Sequence, residues 1–449
     1  MASTELRKIP RVDELLSLPA LADLPHPLAK MVINRVLDQA RKQGKIDPDQ
    51  IRARIGELAE EYRYPYVRRA VNGLGVVLHT GLGRAPLYHA AEMIHQAMTG
   101  FSALQIDFDT GRRGDRYQRI DDLLRTITGC ESSVIVNNNA AATMLILNTF
   151  GQGKEIIVSR GQLVEIGGAF RIPDVMKRSG ARLVEVGTTN RTHLRDYEEA
   201  ITDQTAAIMR VHQSNYRIIG FTKDVPLEEL VSLAHRHNLL MIDDLGSGAF
   251  FDLRQYGLPY EPFVQESIKL GADLICFSGD KLLCGPQCGI ILGKKALIDR
   301  IKKNPLTRAL RCCKFTFIAL EATLRLFLDP EHLIRTHPVL KLLTLDPKRI
   351  RRRAKLFLGK VRKLFPGLKV DLVETRSEIG GGSLAGHDLL SYAVAITPPI
   401  NPDRFARRMR KQPVPVMGRV EGDRYLLDFR TILPKEERFI IEALRRVLA

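Results

Sequence analysis

The sequence predicts a mixed α/β protein built on a mostly parallel central sheet. Three observations carry that expectation. Between about residue 75 and residue 300, eight short β-rich runs recur: GVVLH, SSVIV, KEIIVS, ARLVEVG, AAIMRV, LLMID, DLICFS and CGIILG. Most are separated by helical stretches such as LEELVSLAHRH. The runs are nearly continuous in apolar residues rather than alternating, the pattern of strands covered by helices on both faces. Finally, 449 residues with 45% apolar content suffice for a large core and two or three domains.

Taken in order, residues 1–60 read as a small helical unit. Two amphipathic segments, PLAKMVINRVLDQARKQG and DPDQIRARIGELAEEY, are separated by a Gly-Lys-Ile-Asp-Pro break. Residues 61–75, with RYPYVRRAVNGLG, read as an extended linker. The alternating pattern places a catalytic domain at 76–340, closing on the helical TFIALEATLRLFL. Residues 341–449 mix a basic helix, the strands SYAVAIT and RYLLDF, and a closing helix, which suggests a smaller second α/β domain. No internal repeat is visible.

Composition narrows the class further. The start, MASTELRKIPRVDELL, is interrupted by charge throughout and lacks a signal-peptide pattern. The longest uncharged stretch, residues 132–153, carries three consecutive asparagines, so no membrane span is expected. Six cysteines in so long a chain make no disulfide framework, and a reducing cytoplasm is expected. The net charge is +17, of which +16 falls in residues 301–449, densest in KRIRRRAKLFLGKVRKLF. A charged run is often only a solvated face, but this asymmetry points to a polyanionic partner.

In α/β sheets, ligands collect at the carboxyl ends of strands. After SSVIV come Asn137, Asn138 and Asn139 and then a helix beginning at Ala140, a strand–turn–helix whose N–H groups suit a phosphate. An ordinary helix cap would look the same. No GxGxxG or GxxxxGK[ST] stands at such a turn, which argues against dinucleotide and P-loop folds. After LLMI come Asp243 and Asp244, and a carboxylate ending a buried strand needs a cationic partner, unless it merely caps the helix that follows. After DLICF come Ser278, Gly279, Asp280 and Lys281.

A phosphate turn, a strand-end aspartate and, 37 residues beyond Asp244, a strand-end lysine follow the order of a fold-type I pyridoxal-phosphate enzyme. In that chemistry the lysine forms a Schiff base, the aspartate keeps the ring nitrogen protonated, and the helix N-terminus holds the phosphate. The expected cofactor contacts are therefore Lys281, Asp244, Asn138, Asn139 and Ala140, with Ser278 and Ser214 beside them. His212, Ser214 and Asn215 in VHQSNY end a strand on the right side of the sheet. They line the ring, or His212 is a core histidine.

The sequence also resembles the bacterial selenocysteine synthase family, the L-seryl-tRNA(Sec) selenium transferases. The matching stretches are GVVLHTGLGR, IVNNNAAA, VSRGQLVEIGGAFRIPDVM, VGTTNRTH, DLGSG, FSGDKLLCGPQCG and ALEATLRL, with VDELL and PVPVMGRV near the ends. The resemblance implies pyridoxal 5'-phosphate as cofactor and conversion of seryl-tRNA(Sec) to selenocysteinyl-tRNA(Sec) by selenophosphate, through a cofactor-bound dehydroalanyl-tRNA. It implies that Lys281 carries the cofactor and that Asp280 is an active-site aspartate. It also implies an oxyanion pocket of Arg84, Arg308 and Arg311, since guanidinium forks match tetrahedral oxyanions. Arg308 and Arg311 are three apart and would share a helix face. A fourth arginine, Arg116 or its neighbour Arg113, would come from an adjacent subunit. The partners implied are tRNA read by the N-terminal helices near the basic C-terminal domain, and further copies in a ring of dimers (a decamer), with neither DNA nor membrane.

The chain departs from the family at Gly81, where asparagine is usual, and at Cys284, Cys288, Cys312 and Cys313. C-x₃-C with an adjacent pair is poor zinc spacing, so no metal site is expected and the thiols read as core fillers. The alternative function is a pyridoxal-phosphate lyase or β-replacement enzyme acting on a free amino or sugar acid, which would need neither residues 1–60 nor the basic tail.

Overall fold

A computed structural model describes residues 10–43, 47–168 and 170–448. The first residues of the expected helical unit and most of its Gly-Lys-Ile-Asp-Pro break lie outside them. The N-terminal unit consists of helices Val12–Leu16, His26–Gln43 and Pro48–Arg63. Asp47 caps the last, accepting the Asp49 N–H at 3.0 Å, with Pro48 at the first helical position where no N–H is needed. Val32, Ile33, Val36 and Leu37 meet Ile51, Ile55 and Leu58 in a core of their own. Contacts between Lys411 and Glu61, and from Arg68 to the Gln412 carbonyl at 3.4 Å, tie the unit to the C-terminal domain.

Fourteen strands occur among the described residues. In chain order they are β1 (Val71–Gly73), β2 (Ser132–Val136), β3 (Glu155–Ser159), β4 (Glu165–Ile166), β5 (Phe170–Arg171), β6 (Arg182–Val186) and β7 (Thr205–Val211). There follow β8 (Leu240–Gly246), β9 (Leu274–Ser278), β10 (Gly289–Gly293), β11 (Lys369–Glu378), β12 (Asp388–Thr397), β13 (Val416–Glu421) and β14 (Arg424–Asp428). The large sheet has the order β2-β10-β9-β8-β7-β3-β6 and is parallel except for β10, which runs against both neighbours.

Seven of the eight expected runs form this sheet, and their alternate residues feed separate cores. Val134, Met209, Ile242, Cys276 and Ile291 pack to one side with Leu145 of helix Asn139–Phe150. Ile135, Ile275, Phe277 and Ile290 pack to the other with Leu320 and Leu324. The eighth run, GVVLH, is not a strand of the sheet. It pairs instead with the end of β11, through a Val76–Glu378 bridge and a Leu78 N–H donated to the Ile379 carbonyl at 2.8 Å. Its apolar residues Val77 and Leu78 still enter the core, so burial alone gave it the look of a central strand.

The second sheet has the order β1-β13-β14-β12-β11. The stretch expected as linker holds the end of helix Pro48–Arg63 and β1, which adds to this sheet in parallel with β13. Helices Pro347–Leu364, Pro402–Arg410 and Glu437–Leu448 share its core through Phe357, Phe405, Met409 and Leu444. Arg430 is buried at the junction of the two sheets' domains, donating to the carbonyls of Leu342 and Leu390, both at 2.7 Å. Among the described residues no helix is long and apolar enough to cross a membrane.

Gly289 opens β10 against the turn after β2, where a Cβ would stand 2.2 Å from the Asn138 carbonyl oxygen. Gly289→Ala is expected to destabilise by about 1–3 kcal/mol, because backbone cannot yield to a methyl there. Gly359→Ala, on a helix face with nothing within 4 Å, should be neutral or stabilising. Chemical unfolding midpoints of the two variants check the contrast.

Candidate active site

The site forms where β8 and β9 end side by side. Because they are adjacent and parallel, Asp244 and the residues just after Ser278 reach the same edge of the sheet. The turn after β9 is strapped by Gly279 N–H to the Cys288 carbonyl (2.8 Å), Gly285 N–H to the Gly279 carbonyl (2.7 Å) and Leu282 N–H to the Ser247 carbonyl (3.1 Å). Lys281 is thereby held with only 4% of its surface exposed. Burial brings its amine down to about 8, the Arg84 guanidinium adds to that, and Asp244, Asp280 and Glu261 oppose it. An amine in that range is unprotonated often enough near neutrality to attack a carbonyl or to take up a proton.

Asp244 is buried and accepts hydrogen bonds from Asn139 Nδ2 at 2.8 Å and Thr143 Oγ1 at 2.9 Å. Burial pushes its carboxyl up, and those two donors pull the other way. Strand alternation sends Asp243 to the opposite face. There it binds the Arg210 fork at 2.7 and 2.8 Å and Ser267 at 2.6 Å, which leaves Asp244 as the carboxylate at the site.

The turn after β2 starts helix Asn139–Phe150, with Asn138 as cap accepting the Ala141 N–H at 2.8 Å. The Asn138 carbonyl takes the Ala142 N–H at 3.1 Å. The N–H groups of Asn139 and Ala140 belong to the first turn and have no intrahelical acceptor, so an anion at this end would meet them. Asn139 offers its side chain to Asp244 rather than to that anion. Ser214 and Ser278 are buried beside the strand ends, whereas Asn215 is exposed and bonds the Glu165 carbonyl at 2.8 Å. His212 faces Glu261 through Nε2 at 3.1 Å.

Arg84, in the left-handed region at φ 59°, places Nη1 2.7 Å from Asp280 Oδ2, while its Nε is buried without a partner. Arg308 and Arg311 do not share a helix face. Helix Pro305–Ala309 ends between them, and Arg311 forms an antiparallel bridge with Val136 while Leu310 accepts the Asn137 N–H at 2.9 Å. Arg311 therefore stands at the turn after β2, and Arg308 is exposed on the helix before it. Arg116 bonds Gln105 Oε1 at 3.1 Å and lies with Tyr117 and Cys312, while Arg113 is exposed in the same loop.

Cys284, Cys288 and Cys312 are buried, and burial pushes the thiols of Cys284 and Cys312 up to about 12. Among the described residues no group of three or more His, Cys, Asp or Glu is placed to hold a metal ion. Three parts of the site escape a reading of strand ends. They are Thr143 and Asn139 as partners of Asp244, Glu261, and a glycine loop after β11 that reaches Lys281. IGGGS at 379–383 was the available signal for the loop, since three successive glycines mark a close backbone approach. Together the reachable amine, the buried carboxylate and the open helix N-terminus fit a phosphorylated aromatic aldehyde carrying a ring nitrogen, and the partnerless Asn139 Oδ1 and Arg84 Nε mark unfilled polar capacity around it.

Residues 70–433 match the family described as L-seryl-tRNA selenium transferase, and residues 6–41 match the selenocysteine synthase N-terminal region. The chain is 46% identical over 463 residues to the L-seryl-tRNA(Sec) selenium transferase of Nitratidesulfovibrio vulgaris, covering 98% of each. It is 45% identical over 463 residues to that of Desulfomicrobium baculatum, covering 100% of each. Among solved structures, D-glucosaminate-6-phosphate ammonia-lyase aligns with a TM-score of 0.58 at 19% identity, covering 85% of this chain and 96% of that one, a likeness of fold.

Arg84→Gln removes a cation that faces Lys281 and frees Asp280 to favour the ammonium. The titration midpoint of Lys281 should rise above about 8, by roughly one unit, equivalent to about 1.4 kcal/mol. The pH dependence of Lys281 acylation, read by peptide mass spectrometry, measures it; an unchanged or lower midpoint contradicts the assigned role of Arg84.

Proposed function

The chain belongs to the L-seryl-tRNA selenium transferase family, and from that membership we infer that it converts seryl-tRNA(Sec) to selenocysteinyl-tRNA(Sec). The observation that carries this reading is the buried Lys281 amine under the influence of Asp244, which is itself bonded to Asn139 at the N-terminus of a helix. Pyridoxal 5'-phosphate is the cofactor that fits: Lys281 would hold its aldehyde carbon, Asp244 its ring nitrogen, and Asn138, Asn139 and Ala140 its phosphate. When bound, it supplies an electron sink for charge developing at the substrate Cα.

The chain's own residues do the rest. Lys281 Nζ accepts and returns a proton, which its lowered affinity permits near neutral pH. Asp244, kept in place by Asn139 and Thr143, holds a positive charge opposite it. Asp280 is held by Arg84 Nη1, so the remaining arms of Arg84, with Arg311, Arg308 and an arginine of the 112–119 loop, bind the oxyanion of a selenophosphate donor. The turn that pairs with that loop exposes Phe108, and Ile219 and Phe221 expose a further apolar pair. These surfaces support a homo-oligomer in which a neighbouring subunit contributes Arg116 or Arg113.

The tRNA is the polyanion that the charge distribution calls for. Lys348, Arg349, Arg351, Arg352, Lys355 and Lys360 stand exposed on helix Pro347–Leu364, and Arg404, Arg407 and Arg410 on helix Pro402–Arg410. The second helix leads to Lys411, which meets Glu61 of the N-terminal unit. A duplex held by phosphate and shape contacts suits such a surface. The names of the relatives favour this substrate over a free amino or sugar acid. A cytoplasmic location accords with a substrate of the translation machinery.

The test is the visible absorption of full-length protein loaded with pyridoxal phosphate, alone, with free serine and with seryl-tRNA(Sec). A spectral change with the charged tRNA and none with free serine is expected; the reverse response contradicts the tRNA reading. Lys281→Ala should lower selenium transfer at least about a thousandfold. Deleting residues 1–60 should abolish the tRNA response while leaving the loaded spectrum, since that unit has its own core.

A further inference from the structure

A loop of the C-terminal sheet is built into the lysine pocket. It runs over residues 379–387 between β11 and β12, and Gly380, Gly381 and Gly382 all have positive φ, at 73°, 61° and 73°. A Cβ on Gly381 would stand 2.7 Å from the Leu78 carbonyl oxygen. A Cβ on Gly382 would stand 3.2 Å from both Lys281 Nζ and Ser214 Oγ. Bare backbone therefore closes on the amine.

One carboxylate links this loop to the catalytic sheet. Glu261, 3% exposed, accepts the Leu384 N–H on Oε2 at 3.2 Å and faces His212 Nε2 with Oε1 at 3.1 Å. The His212 backbone N–H donates to the Asp244 carbonyl at 2.9 Å, and the Ser214 N–H donates to the His212 carbonyl at 2.8 Å. Loop, strand end and the backbone of Asp244 are thus joined through one side chain. A carboxylate is costly to bury, and a well-packed apolar residue would fill the same space without that cost.

We infer that Glu261 is a positioning residue that latches the 379–387 loop over Lys281 and keeps water from the amine. The inference rests on Lys281 being the reactive amine. The charged groups that bear on that amine are Arg84 from the turn at 79–84, Asp280 on its own turn, Asp244 from the end of β8, and Glu261. Gly380, Gly381, Gly382 and Ser383 bring no charge, and the loop's titratable side chain, His387, stands at its far end beside β12, so at the amine the loop acts by excluding solvent. Removing Glu261 then has two effects of opposite sign. Losing its negative charge disfavours the ammonium and lowers the Lys281 midpoint, whereas opening the loop hydrates the ammonium and raises it. Glu261→Gln keeps an acceptor for Leu384 N–H and isolates the first effect. Glu261→Ala removes the latch.

The experiment uses the full-length chain freed of pyridoxal phosphate by dialysis against an amine. It reads Lys281 acylation against pH and amide exchange over 379–387. In Glu261→Ala, loop exchange should accelerate by about tenfold or more. The midpoint of Lys281, about 8 in the parent, should stand about one unit higher in Glu261→Ala than in Glu261→Gln. Glu261→Gln should leave exchange within about twofold and the midpoint no higher than in the parent. Unchanged exchange in Glu261→Ala overturns the latch, and faster exchange with a midpoint no higher than that of Glu261→Gln reduces Glu261 to a structural tie, which also overturns the inference. If the alanine variant does not fold, Glu261→Asp, one methylene too short to span both partners, gives the same two readings. None of these readouts uses turnover: a Lys281→Ala variant that still transferred selenium would sink Lys281 as the reactive amine, whereas exchange and the Lys281 midpoint test the latch alone.

Discussion

A lysine amine held almost out of water has to be surrounded by charges that neither expel it nor lock it as an ammonium. That constraint organises the chain around Lys281. Desolvation and Arg84 disfavour its charge; Asp244, Asp280 and Glu261 favour it, and the balance leaves the amine near 8. Each of these groups comes from a different part of the sequence. The parallel pairing of β8 with β9 brings Asp244, the turn at 79–84 brings Arg84, and the segment after the short helical turn Leu253–Tyr256 brings Glu261. The site is therefore as stable as the packing between these elements, and the two cores flanking the sheet keep them in register.

Buried carboxylates divide the work by partner. Asp243 binds the Arg210 fork and Ser267 on the far face, a pairing that stiffens β7 against β8. Asp244 has only neutral donors, Asn139 and Thr143, and so keeps capacity for a cation at the site. Asp280 is taken up by Arg84. Asp428 joins β11 and β12 in the second sheet by accepting Ser377 at 2.9 Å and Ser391 at 2.6 Å, and the loop carrying Gly382 springs from those strands. The C-terminal sheet thus lines the lysine pocket as well as carrying a basic surface.

Much of this was legible from residues alone. The strand runs, the asparagine turn, Asp244 and Lys281 were readable because each follows local rules: apolar runs bury, helix N-termini attract anions, and a polar residue closing a buried strand needs a purpose. GVVLH misled because apolar content reports burial and not strand pairing, and its partner lies three hundred residues away in β11. Arg308 and Arg311 misled because helical spacing was assumed across a helix end, where Arg311 turns to pair with Val136.

By itself the sequence determined the α/β class, the buried strands, the placement of a lysine and an aspartate at strand ends, and the concentration of positive charge in the last third. These are properties of period, composition and order, which need no partner. Only the tertiary structure decided that Asn139 and Thr143 hold Asp244, that Arg84 pairs with Asp280, and that Glu261 bonds a glycine loop of the second sheet that closes on the amine. The physical reason is that such pairings are set by strand order and by contacts between residues far apart in the chain, where a side chain's partner leaves no mark in its own neighbourhood.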